Sequence, residues 1–100
     1  MQTMFETARA GEETALLVNG DVDAYTSPDL RRAILDLADT GVRRILVDLR
    51  RAGFLESTGL GVLVGCRASL AARGIDLIVQ PRSDQMARLL RMAELRMVVA

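Results

Sequence analysis

Five polar side chains hold most of the chemistry open to this chain. Asp21 and Asp23 stand in Gly20-Asp21-Val22-Asp23, and Glu56, Ser57 and Thr58 lead directly into Gly59-Leu60-Gly61-Val62-Leu63-Val64-Gly65. A hydroxyl pair at the mouth of a helix can satisfy an orphan backbone amide, which contributes about 1 kcal/mol. The same helix start suits a nested phosphate, whose charge matches its amides and dipole. Asp21, Asp23 and Glu56 together match the oxygen ligation of a hard divalent ion, although no further polar groups converge with them in the sequence. An Asp-x-Asp pair reads equally well as a solvated turn. Each glycine in a helix costs about 0.5–1 kcal/mol relative to alanine. Gly59, Gly61 and Gly65 therefore predict a close approach, by the sheet beneath the helix, by a partner surface, or by a phosphate nested at the helix start.

What is missing narrows the chemistry further. The chain has no histidine, lysine or tryptophan, so histidine-based nucleophiles and metal sites, a P-loop lysine and a Schiff base are excluded by residue type. The chain therefore offers Ser57 no histidine or lysine as a base. No catalytic residue is assigned, and the chain is not read as an enzyme. Cys66, the only cysteine, cannot form an internal disulfide and reads as a small buried hydrophobe. Thirteen arginines balance thirteen carboxylates with no longer basic cluster than a pair, which argues against capture of nucleic acid or of an anionic membrane. No apolar run reaches the ~18 residues of a membrane span, and the first six residues lack the charged and apolar regions of a signal peptide. The expectation is a cytoplasmic protein without membrane insertion.

The elements that must position these residues follow from local signals. A hundred residues, half of them apolar, suit one domain over 1–100. Thr3 to Arg9 and Thr14 to Val18 flank Gly11 as a hairpin. Ser27-Pro28-Asp29 predicts a helix start, with Ser27 as cap, and Leu30, Ala33, Ile34, Leu37 and Ala38 form one apolar face ending before Gly41. Val42 to Leu49 reads as a central strand covered by helices. A mainly apolar helix runs from Glu56-Ser57-Thr58-Gly59 to about Arg73, ended by Gly74. Ile75 to Val79 is a further buried strand, stopped by Pro81. Ser83 caps a helix bearing Met86, Leu89, Leu90 and Ala93, and Met97-Val98-Val99 reads as a last short strand. The order ββαβαβαβ gives an α/β fold, a mixed sheet covered by helices.

With these residues in place, the sequence resembles the STAS domain of bacterial anti-sigma factor antagonists. The motif Asp-Ser-Ser/Thr-Gly-Leu-Gly-Val-Leu of that family is matched by Glu56-Ser57-Thr58-Gly59-Leu60-Gly61-Val62-Leu63, and Gly-(Glu/Asp)-x-Asp by Gly20-Asp21-Val22-Asp23. Leu46-Val47-Asp48-Leu49 and Arg88-Leu89-Leu90 extend the likeness over nearly the whole chain. The resemblance implies a STAS fold and a binding module without cofactors, with Ser57 as the phosphoacceptor. The unphosphorylated form would bind an anti-sigma factor that is itself a serine protein kinase, releasing a sigma factor. Phosphorylation would end the binding, and a serine phosphatase would restore it. The partner surface would comprise Asp21, Asp23, Glu56, Ser57, Thr58, Gly59, Leu60 and Gly61, with Thr58 adjacent but unmodified.

Three features depart from that pattern. Glu56 replaces the usual Asp, the chain stops where many members continue into a C-terminal helix, and Glu94 stands where glycine is common, predicting a different turn there. Another use of the same fold is a scaffold subunit of a signalling assembly or lipid transporter with Ser57 never modified. A homodimer, through an exposed strand edge or the Met-bearing helix, is a further arrangement the pattern allows.

Overall fold

The computed structural model describes residues 4–98. Strands β1 (Phe5–Ala10) and β2 (Glu13–Val18) form an antiparallel hairpin. Gly11 makes its turn at φ 64°, a left-handed conformation open to glycine because no Cβ clashes with the backbone. Helix α1 (Ser27–Ala38), strand β3 (Arg44–Asp48), helix α2 (Ser57–Ala71), strand β4 (Asp76–Gln80) and helix α3 (Asp84–Met92) follow. The sheet order is β1-β2-β3-β4, with β2, β3 and β4 mutually parallel. The expected mixed sheet is therefore present, and β3 is an interior strand.

Each crossover steps the same way along the sheet, and right-handed connections then bring the helices to one face. Strand side chains alternate accordingly: Leu16, Val18, Ile45, Val47, Leu77 and Val79 are buried beneath Leu30 and Ile34 of α1, Leu63, Cys66 and Leu70 of α2, and Met86 and Leu90 of α3. Burying one such aliphatic side chain is worth about 1.5–3 kcal/mol, so this single layer of contacts dominates the stability of the fold. Cys66 is the small buried hydrophobe expected, and burial pushes its thiol pKa up.

Three local expectations are corrected. Ser27 is the first helical residue of α1 rather than its cap. Thr26 occupies the cap position, without a side-chain capping bond, and Ser27 Oγ instead donates to Asp23 O at 2.5 Å. The shift arises because the 23–26 turn draws the preceding residue into its own hydrogen bonds. Among the described residues the last strand shows as a single parallel bridge, Met97 with Val79, closed by Val79 N to Arg96 O at 2.9 Å and Val98 N to Val79 O at 3.0 Å. Thr3 and Val99, the outer residues of the expected first and last strands, lie outside the described residues. Glu94 takes φ 61°, the left-handed conformation a glycine would adopt there. The substitution therefore leaves the turn geometry in place and adds backbone strain. The Arg67 guanidinium donates to Glu94 O and holds this turn against α2. Ser83, by contrast, caps α3 as expected, its Oγ accepting from Met86 N at 3.1 Å.

Candidate functional site

The two motifs, over thirty residues apart in sequence, meet at the carboxyl end of the sheet. Val22 and Leu55 form an isolated parallel bridge. Val22 N donates to Phe54 O at 2.7 Å, and Glu56 N donates to Val22 O at 2.9 Å. Val22 and Leu55 are buried there, so apolar burial and backbone pairing clamp the segment after β2 to the segment before α2. Gly59 explains the closeness of the fit. A Cβ on this buried residue would overlap Val22 Cγ1 and come within 2.9 Å of Leu55 Cδ1. Glycine is required for this approach, and Gly59 lies beneath the exposed face rather than on it. Gly61 and Gly65 differ: both are exposed, and a Cβ at either would meet nothing within 4 Å. Their spacing does not report packing on the sheet.

Each carboxylate has a separate task. Asp23 Oδ1 accepts from Tyr25 N at 2.9 Å and Thr26 N at 3.0 Å, closing an Asx-type turn. The Thr26 hydroxyl accepts from Asp23 N and donates to Asp21 O, both at 2.9 Å. The Thr26 amide bond, with the Tyr25 amide, holds the Asp23 carboxyl below its ordinary pKa. Glu56 reaches across the bridge, its Oε2 accepting from Ala24 N at 3.1 Å. Asp21 lies against Gly53, where an added Cβ would sit 2.5 Å from Asp21 Oδ1. Asp23 and Glu56 are thus committed to backbone amides of one turn. Among the described residues no group of acidic, cysteine or histidine side chains is arranged to hold a metal ion.

Ser57 opens α2 and is exposed. Glu56, the N-cap residue in extended conformation, makes no capping bond to its own helix, because its carboxylate is turned toward Ala24. The start of α2 therefore carries no side-chain cap, and a phosphoryl group on Ser57 would meet favourable helix dipole. Thr58 is also exposed. Its Oγ1 stands 3.4 Å from Ser27 Oγ, beyond a good hydroxyl–hydroxyl bond, and the single Ser27 proton goes to Asp23 O. Leu60 is half-buried and packs against the core.

Two aromatic residues on this rim were not singled out by the sequence pattern. Tyr25 in the turn is 92% exposed and Phe54 before the bridge is 56% exposed. Phe54, Leu55, Met86 and Leu89 line a groove of about 150 Å³ between the β3–α2 loop and α3, bordered by Arg82, which donates to Gly53 O at 2.7 Å. The available signal was aromatic scarcity, since the chain has three aromatic residues and two of them face water at one end of the sheet. Behind the rim, Asp48 at the end of β3 is buried and receives Arg50 Nη2 at 2.7 Å and Arg50 Nε at 3.0 Å. These bonds hold the Asp48 carboxyl below its ordinary pKa. Among the described residues no helix is long and apolar enough to cross a membrane.

The comparisons with known proteins agree with this geometry. The family model for the Mlab, STAS domain matches residues 5–100. The anti-sigma-B factor antagonist of Staphylococcus aureus (strain NCTC 8325 / PS 47) is 30% identical over 96 residues, covering 96% of this chain and 89% of that protein. The protein of the same name from Listeria monocytogenes is 35% identical over 86 residues, covering 84% of this chain and 74% of its own length. The structure of the Bacillus cell fate determinant SpoIIAA in the phosphorylated form superposes with a TM-score of 0.76 at 23% identity, covering 96% of this chain and 90% of that one. Matched by the family model over residues 5–100 and, over 96% of its length, by a relative 30% identical to it, the chain belongs to the STAS-domain family of anti-sigma factor antagonists.

Proposed function

We propose that this protein is a phosphorylation-switched anti-sigma factor antagonist, with all hundred residues working as one STAS domain and Ser57 as the acceptor. The observation that carries this reading is the exposure of Ser57 at the uncapped start of α2, beside a turn held rigid by Asp23 and Glu56. Unmodified, the face formed by Asp21, the 23–26 turn, Ser57, Thr58, Leu60 and Gly61 binds an anti-sigma factor that is also a serine protein kinase. The kinase supplies the base that removes the hydroxyl proton, because the chain has no histidine or lysine to do so. The oxygen then bonds the γ-phosphorus of ATP as the bond from that phosphorus to the bridging oxygen breaks, and ADP leaves. A serine phosphatase reverses the modification.

The switch acts on the partner rather than on the fold. A standard interface covers about 800 Å² per side, and Ser57 near its centre is desolvated on binding. About −1.5 to −2 charges placed there are compatible with the helix start in the free protein. In the complex they are buried beside Glu56, Asp21 and Asp23, which costs several kcal/mol. The deciding experiment incubates the protein with its cognate kinase and ATP and locates the added phosphate by mass analysis. Modification at Ser57 and loss of the complex support the switch. A complex that forms, persists and leaves Ser57 unmodified would instead identify a scaffold.

A further inference from the structure

The chain has a single asparagine, Asn19, and a glycine follows it. The backbone demands that glycine: Gly20 takes φ 104°, a conformation that a residue with a Cβ rarely adopts. The same lack of a Cβ exposes the preceding side chain to a reaction within the chain. The Gly20 nitrogen has unhindered access to the Asn19 side-chain amide carbon, and bonding between them closes a cyclic imide.

In the folded chain both reacting groups are held apart. Asn19 is 8% exposed, and its Nδ2 donates to Glu6 Oε2 at 2.7 Å. Its backbone N donates to Met4 O at 2.7 Å, while the attacking Gly20 N donates to Arg51 O at 3.2 Å. Two of these bonds end at the outer strand, since Met4 just precedes β1 and Glu6 lies within it. That strand is weakly held. It stands at the edge of the sheet, pairs with β2 alone, and exposes five of its six residues. An element with so little buried apolar surface opens at lower cost than the whole domain.

We propose that Asn19 is a deamidation site that the fold keeps shut and that opens when β1 lifts away from β2. Once the side-chain amide leaves Glu6, the Gly20 nitrogen gives its proton to solvent base and bonds Asn19 Cγ. The Cγ–Nδ2 bond breaks, and ammonia leaves with a proton taken from water. Water then adds to one carbonyl of the imide. Addition at Cγ breaks its new bond to nitrogen, returns a proton to the Gly20 nitrogen and leaves an aspartate. Addition at the Asn19 main-chain carbonyl carbon breaks the original peptide bond instead and leaves an isoaspartate, whose chain runs on through Cβ and Cγ.

Neither product restores the lock. The donor at position 19 becomes a carboxylate facing the Glu6 carboxylate, and like charges so placed destabilise each other. Arg51, 3.8 Å from Glu6 Oε2, balances one of the two. Isoaspartate also lengthens the backbone just before the Val22–Leu55 bridge. Opening of β1 therefore becomes irreversible once the amide is lost. The reaction needs nothing from Ser57 and is independent of the switch.

Peptide mapping by mass spectrometry tests this on the whole chain, incubated in buffer and in guanidinium chloride. In denaturant the parent should lose the Asn19 amide, with isoaspartate among the products. In buffer the loss should be slower by about a hundredfold or more, because the open state is then a minor population. Glu6→Ala should speed the loss in buffer roughly tenfold, the change expected when a bond to a charged group is removed. In denaturant it should match the parent. Glu6→Gln, which keeps an acceptor oxygen, should lie nearer the parent in buffer. Val79→Ala, at the opposite edge of the sheet, weakens the core without touching β1 and should leave the rate in buffer close to the parent's. Asn19→Asp should lower the denaturant midpoint. Equal parent rates in buffer and denaturant, or no amide loss in denaturant, would overturn the proposal. So would a Glu6→Ala rate in buffer equal to the parent's, or a Val79→Ala rate raised as far as that of Glu6→Ala, either of which would place the gate elsewhere than β1. An Asn19→Asp protein as stable as the parent would show that the product leaves the lock closed, and would overturn it too.

Discussion

Glu56 Oε2 accepts a hydrogen bond from Ala24 N at 3.1 Å, across 32 residues of sequence. The bond ties the turn after β2 to the residue preceding the phosphoacceptor. It also gives the longer side chain a use, since an aspartate is one methylene shorter. Glu56→Ala and Glu56→Asp should both release this amide. For a bond worth about 1 kcal/mol at an exposed site, hydrogen exchange at Ala24 should quicken roughly fivefold, while Glu56→Gln, which keeps an acceptor oxygen, stays closer to the parent. Amide exchange followed by NMR checks this.

Ser57→Asp should keep the fold and weaken the complex with the anti-sigma factor. A loss of three to four kcal/mol, at about 1.4 kcal/mol per tenfold, amounts to a few-hundredfold. Ser57→Ala should bind like the parent and be refractory to the kinase. Calorimetric titration of both variants against the cognate partner measures the difference, and equal affinities for Ser57→Asp and the parent would sink the switch.

Tyr25 and Phe54 are exposed on the two clamped segments that carry the site, and exposed aromatic side chains are frequent anchors of binding energy. Tyr25→Ala and Phe54→Ala should each weaken the complex by about tenfold or more, on the scale of 1–2 kcal/mol for an interface anchor. Neither should change thermal stability appreciably, because both rings are mainly solvated in the free protein. The same titrations, with melting curves of each variant, separate an anchoring role from a folding defect.

Asp48, like Asp23, contributes acid sensitivity at the sheet's carboxyl end. Its pKa is lowered in the fold by the Arg50 bonds, so the folded state binds fewer protons there than the unfolded chain. The stability this provides is fully present above the ordinary aspartate value of about 3.9 and is lost as pH falls through the lowered value. Asp48→Asn should cost about 1.5–3 kcal/mol near neutrality, the range for a hydrogen bond to a charged group. It should also flatten the decline in stability below about pH 4. Denaturant melts at several pH values compare the two slopes.

Glu94 at φ 61° is a non-glycine residue in a left-handed turn, a conformation that costs an L-residue roughly 1–2 kcal/mol. Part of that strain is offset by the stiffer unfolded chain relative to glycine. Glu94→Gly should therefore stabilise the protein by about 0.5–1 kcal/mol. Chemical denaturation gives the value directly.

The sequence by itself determined what depends on neighbours within a turn or two. The hairpin about Gly11, the Ser83 cap, the apolar stripe of α1 and the buried alternation of β3 and β4 were legible because capping, left-handed turns and hydrophobic period are local properties. The site motif was legible as a pattern and as a family likeness, and the hydroxyl of Ser57 stood out with it. The tertiary structure decided what each motif residue does. Asp23 and Glu56, alike as carboxylates, were assigned to turn amides only once Val22 met Leu55. Gly59 was separated from Gly61 and Gly65 only by what lies above each Cα. Tyr25 and Phe54 became a shared rim, and Met97 became a bridge partner of Val79, for the same reason. Whether a side chain is covered, paired or left facing water depends on residues brought together from distant parts of the chain, and no spacing within a segment encodes that distance.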